Sequence, residues 1–154
     1  DKRRDDNFEY FGFDVSSIAL RRAKKKNIGN KKMKFSEKSI DLSKETLNCK
    51  TPKSLIIIKE VIQHLNLDYG LSMLKNIKKS GIKYIAITNH DKNLFNIDKN
   101  INIDKNGEFY PNNMFMEPFN FKNPLKDVKD LINDKNLEKG LGNLIIFDIQ
   151  EQNI

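Results

Sequence analysis

Apolar positions fall along the chain in short blocks whose spacing predicts strands and helices in alternation. Phe8-Glu9-Tyr10-Phe11-Gly12-Phe13-Asp14-Val15 is rich in aromatic residues and closes on an acid, as a strand does when it ends at a ligand-bearing edge. Ser16 or Ser17 then caps a helix through Ile18, Ala19, Leu20 and Ala23, which Asn27 and Gly29 stop. Met33, Lys34 and Phe35 form a second short strand, followed by the polar turn Ser36-Glu37-Lys38 and the acid-bearing Ser39-Ile40-Asp41-Leu42.

After Pro52, Leu55-Ile56-Ile57-Ile58 is aliphatic without alternation, which predicts a strand covered on both faces. Val61-Ile62-Gln63-His64-Leu65 follows. Asp68 is the expected cap of a helix in which Leu71, Leu74 and Ile77 recur at helical spacing, and Gly81 is its expected stop. Residues 83–88 form the next strand. Residues 89–123 read as one long loop, rich in Asn and Asp and broken by prolines. It also carries Phe109, Tyr110, Met114, Phe115, Phe119 and Phe121, too apolar for a disordered linker, so a lid or substrate loop is expected. Residues 129–132 and 144–149 are the expected partners of a closing antiparallel pair, joined by a turn containing Gly140 and Gly142.

This order predicts an α/β fold, a doubly wound, mostly parallel sheet with an antiparallel C-terminal edge pair. With 154 residues, 38% of them hydrophobic, residues 1–154 are expected to form a single domain with its own core. Ligands of such sheets bind at the carboxyl ends of the strands, and Asp14, Asp41, Lys59, Glu60 and Asn89 fall at or just beyond those ends.

Composition narrows the chemistry. The single cysteine, Cys49, excludes an intramolecular disulfide and a thiolate zinc cluster, and two separated histidines point to no structural metal. Neither a stretch of membrane-spanning length nor a signal-peptide core is visible, so a cytoplasmic protein without membrane contact is expected. The formal net charge of +7 points towards an acidic partner such as nucleic acid. That pointer is weak, because the excess is carried by Lys in a chain equally loaded with Asn and Ile, the signature of an A- and T-biased genome.

Each candidate residue has a chemical and a structural reading. Asp14 ends an early strand, where a carboxylate accepts hydrogen bonds from two ribose hydroxyls. Asp41, flanked by Ile40 and Leu42, could receive an adenine amino group between aliphatic walls, or simply cap a turn. Lys59 and Glu60 either touch ligand or pair with each other. His64, better placed than His90, is a candidate general base or a packing residue. The aromatic residues of the long loop read first as core and lid packing.

Taken in order, Tyr10-Phe11-Gly12-Phe13-Asp14-Val15-Ser16-Ser17-Ile18, Ile40-Asp41-Leu42, residues 55–65 through Gln63-His64-Leu65, residues 75–88 and Pro118-Phe119-Asn120-Phe121-Lys122-Asn123-Pro124 carry a resemblance. Over residues 8–150 the chain resembles class I S-adenosylmethionine-dependent methyltransferases, in particular a group of small methyltransferase-domain proteins. The resemblance implies a seven-stranded sheet and S-adenosylmethionine as methyl donor. Asp14 and Val15 would lie at the ribose, Ile40, Asp41 and Leu42 near the adenine, and Lys59, Glu60 and His64 after the fourth strand. It also implies that Asn89, His90, Phe109, Tyr110 and Phe119 belong to a loop facing an unspecified methyl acceptor.

The chain departs from the family pattern in three places. No strand and glycine-rich turn precede Phe8, so the expectation includes a partner or an upstream segment that supplies the missing strand. Ser54 stands where an acid often opens the strand. Phe109-Tyr110-Pro111-Asn112 stands where an aromatic-Arg pair is usual. Two other function classes stay open: an inactive methyltransferase-like binding module or partner subunit, associated with RNA, and a nicotinamide-dependent oxidoreductase.

Overall fold

A computed structural model describes residues 8–49, 51–105, 107–129 and 142–154. They fall into two compact units, Asp1–Asp41 and Leu42–Ile154. In the first, strand β1 (Tyr10–Gly12) pairs in parallel with β2 (Met33–Phe35), and helix α1 (Ser17–Lys26) lies between them in the chain. The Ser16 hydroxyl accepts the Ala19 N–H and Asn27 caps the far end, satisfying backbone groups that a helix terminus leaves open. Gly12 is dictated by its neighbour, since a Cβ there would stand 2.6 Å from the Phe35 ring.

The second unit holds a four-stranded mixed sheet of β3 (Leu55–Ile58), β4 (Tyr84–Asn89), β5 (Lys126–Lys129) and β6 (Asn143–Asp148), in the order β3-β4-β6-β5. β3 and β4 run parallel, while β6 is antiparallel to both β4 and β5. Helix α2 (Leu67–Lys79) is capped by the Asn66 side chain, which accepts the Asp68 N–H; Asp68 itself lies inside the first turn. Gly81, with φ at +75°, follows the helix in the left-handed region.

The core of this unit combines Leu74 and Ile77 of α2, Ile85 and Ile87 of β4, and Phe147 of β6 with Met114, Phe119 and Phe121 from the long loop. Phe121 meets Phe147 edge to face at 5.0 Å, a favoured aromatic geometry. The Phe119 ring packs against α2 at Gly70. The loop therefore contributes core as well as surface.

The expected doubly wound parallel sheet is not what forms. Among the described residues there are two α-helices, one per unit, and the larger sheet is mixed; its antiparallel edge pair of β6 and β5 does form, but β6 is antiparallel to β4 as well. Wrapping a sheet on both faces needs more helical cover than this. The burial of β3 gives the same answer: Ile56 and Ile58 are buried, whereas Leu55 and Ile57 are 50% and 58% exposed. Lack of alternation in sequence did not mean cover on both faces. The strand buried almost throughout is β4, whose residues from Ile85 to Asn89 are all buried.

The expected partners of β6 began at residue 129; β5 starts at Lys126, and residues 130–132, like Gly140 of the connecting turn, lie outside the described residues. Among the described residues no helix is long and apolar enough to cross a membrane.

If β3 packs through one face only, Ile56→Ala and Ile58→Ala should each lose about 2–4 kcal/mol of stability in urea unfolding. Leu55→Thr and Ile57→Thr should change it by less than about 0.5 kcal/mol. Equal losses at all four positions would mean that both faces are covered.

Candidate functional site

In the first unit, Asp14 follows β1 and is exposed, with Oδ1 accepting the Ser16 N–H at 2.7 Å. This turn delivers the chain into α1 through a local hydrogen bond common for a short acid. The Asp14 carbonyl also accepts the Ile40 N–H at 3.0 Å. Parallel pairing of β1 and β2 thus brings Asp14 beside the segment after β2, with Ile40 and Asp41 half-buried and Val15 66% exposed. Leu42 differs: its side chain is buried in the second unit and its carbonyl accepts from Asn76 Nδ2.

The second unit gathers its polar side chains where β3 and β4 end. Lys59 is exposed. Glu60 has φ at +54°, a left-handed conformation uncommon for a residue with a Cβ. It is held there from two sides. Its N–H donates to Thr88 Oγ1 at 2.8 Å, and its carboxylate accepts from Gln63 Nε2. Gln63 is buried in the 3₁₀ turn Ile62–His64 that follows. Main-chain bonds then tie the long loop to this turn, from Gly107 N–H to His64 O at 2.8 Å and from Tyr110 N–H to Gln63 O at 2.9 Å.

Main-chain groups of the long loop face Nδ1 of both His64 and His90. His64 Nδ1 lies 3.0 Å from Glu108 O. A carbonyl only accepts, so Nδ1 carries the proton and Nε2 is left as the basic nitrogen. His90 is 1% exposed, its N–H donates to Asn112 O at 2.9 Å, and its Nδ1 lies 3.2 Å from both the amide nitrogen and the carbonyl oxygen of Asn112. Nδ1 accepts from that N–H in one tautomer and donates to that carbonyl in the other. Burial holds the His90 pKa below the ordinary imidazole range, against the opposing pull of the Asn112 main chain and the Glu60 carboxylate, and the His64 ring lowers it further.

Phe109 links the two imidazoles, with ring centroids 5.7 Å from His64 and 5.8 Å from His90, while Phe95 meets His90 edge to face at 4.9 Å. Of the expected loop residues, Phe109 is thus at the site and 51% exposed, and Tyr110 is half-buried beside it. Phe119 is wholly core. Asn89 faces inward, its Oδ1 accepting the Met114 N–H at 2.7 Å.

Sequence reasoning passed over the carboxamides that organise this region. Asn100 Nδ2 donates to the carbonyls of Asn113 and Glu117, each at 2.8 Å, and its Oδ1 accepts the Asn113 N–H at 2.7 Å. Asn113 Nδ2 donates to His90 O at 2.9 Å. In a chain so rich in Asn these positions carried no distinguishing signal. Gln63 did, as a polar residue inside the apolar run Val61-Ile62-Gln63-His64-Leu65. Among the described residues, no group of three or more His, Cys, Asp or Glu side chains comes together as a metal site.

Comparison with known proteins finds no matching family model, no matching curated protein and no matching solved structure.

Removing the Asn100 carboxamide strands several buried main-chain groups. Asn100→Ala is expected to cost about 2–3 kcal/mol in urea unfolding, whereas Asp91→Ala, which loses only an exposed turn, is expected to cost less than about 1 kcal/mol. A neutral Asn100→Ala would show that the network does not hold the loop.

Proposed function

We propose that this chain is a methyltransferase that uses S-adenosylmethionine, acting in the cytoplasm on an acceptor that the sequence does not name. The observation that carries the reading is the meeting of Asp14 with Ile40 at the carboxyl ends of the parallel pair β1 and β2. A nucleoside needs an exposed carboxylate for its ribose hydroxyls and an aliphatic wall with a polar group for its base. Asp14 supplies the first, and Ile40 and Asp41 supply the second. One Asp14 oxygen already receives the Ser16 N–H, which orients the carboxylate without covering it.

The cofactor, when bound, supplies an electrophilic methyl group, so the protein's task is to position an acceptor and to take its proton. His64 suits the second task. With Nδ1–H committed to Glu108 O, its Nε2 lone pair is the atom that would take a proton.

The reading also calls for one further strand with a glycine-rich turn, from a partner or an upstream segment. Among the described residues β3 pairs with β4 alone, and it offers an edge and the exposed Leu55 and Ile57 to such a segment.

Titration calorimetry with S-adenosylmethionine tests the proposal. Micromolar binding is expected, and Asp14→Ala should weaken it by roughly tenfold to a hundredfold through loss of a charged acceptor. Absence of binding by a folded chain, or binding indifferent to Asp14→Ala, would sink the proposal. Salt-steep RNA binding without cofactor binding would favour an inactive nucleic-acid-binding module instead.

A further inference from the structure

Helix α1 turns one face towards the segment after β2, and that face is polar where a packing face is apolar. Ser17, Leu20, Arg21 and Lys24 recur at the spacing of a single helix stripe, which in a packed helix carries core residues. Of the four, only Leu20 is buried. Together with Glu37, Lys38 and Ser39 they line one cleft of about 380 Å³ inside the first unit. That volume lies at the lower end of the range for small-ligand sites.

The two walls are held in place. The Ser36 hydroxyl donates to the Lys38 carbonyl and the Ser36 N–H to the Gly12 carbonyl, which fixes the turn carrying Glu37 and Lys38 to the end of β1. Lys24 Nζ meets Glu37 Oε2 at 2.9 Å and ties the helix to that turn. The lining sets three cations, Arg21, Lys24 and Lys38, against the single carboxylate of Glu37, a balance of two positive charges. Arg21 has no ion-pair partner among the described residues.

We propose that this cleft binds the phosphate group of a small phosphate monoester. Such a group brings three terminal oxygens and a charge approaching about −2 at neutral pH. The cleft answers with the planar fork of Arg21, the ammonium groups of Lys24 and Lys38, and the hydroxyl donors of Ser17 and Ser39. A carboxylate, or a phosphodiester of a nucleic-acid backbone, has two free oxygens and one charge, so it leaves donors and charge unmatched. Leu20 gives the carbon side of the ester an apolar floor. The site goes beyond methyl transfer and does not rest on it, because S-adenosylmethionine carries no phosphate.

Two sources share this chemistry, a sugar phosphate and a mononucleotide. Ser17 follows Ser16 and Ser39 precedes Ile40, both of which donate main-chain N–H groups to Asp14, so a nucleotide in the cleft has that carboxylate close by. The test is titration calorimetry of the full chain at low salt with ribose 5-phosphate, adenosine 5′-monophosphate and, as control, ribose. Both phosphates should bind saturably and ribose should not. Arg21→Gln should weaken them about tenfold, and Glu37→Gln should tighten them several-fold by releasing Lys24. Arg22→Gln removes the same charge from the same helix outside the cleft and should change binding by less than about twofold. All three side chains are exposed, so the variants keep the fold. A nucleotide that binds more tightly, with the advantage lost in Asp14→Ala, identifies a mononucleotide; equal binding identifies a sugar phosphate. No saturable binding by the folded chain, or equal losses in Arg21→Gln and Arg22→Gln, would overturn the site and leave only the general attraction of a basic chain for anions.

Discussion

The loop after β4 depends on buried carboxamides doing what a strand ladder does elsewhere. A loop that enters a core must satisfy each N–H and C=O it buries, and it has no regular partner to do so. Asn89, Asn100 and Asn113 supply the donors and acceptors at 2.7 to 2.9 Å. With the polar groups settled, Met114, Phe119 and Phe121 enter the core without penalty. That anchoring in turn fixes where Phe109 and Asn112 stand. The imidazoles inherit their surroundings from it.

The two histidines differ in their surroundings. His64 donates through Nδ1 to a main-chain carbonyl, so its basic nitrogen is Nε2. His90 has its Nδ1 against the Asn112 main chain, and burial lowers its pKa. Glu60, pinned in a left-handed conformation by Thr88 and Gln63, sets the local charge.

Local structure was largely legible in the sequence, and assembly was not. Ser16 and Asn27 bounded α1 as their cap chemistry required, and Met33 to Phe35 and Leu55 to Ile58 formed strands where their composition placed them. The cap of α2 was misread by two residues, because Asn66 and Asp68 are both good caps and only the fold selects between them. Leu55-Ile56-Ile57-Ile58 misled more seriously. An unbroken aliphatic run satisfies a strand buried on two faces and a strand with one face open equally well, so it could not exclude a mixed sheet with little helical cover. At the site, Glu60, His64 and His90 could be singled out by type and position. Asn112 and Asn100 act through contacts to residues far away in sequence, which no local pattern encodes.

The central claim is that the anchored loop buries His90 and holds it as a neutral imidazole. Side-chain 15N spectra of selectively labelled protein, recorded as the pH is lowered, read this directly. The account predicts a neutral ring that persists below the ordinary imidazole range near about 6.5. An imidazolium at neutral pH would contradict it.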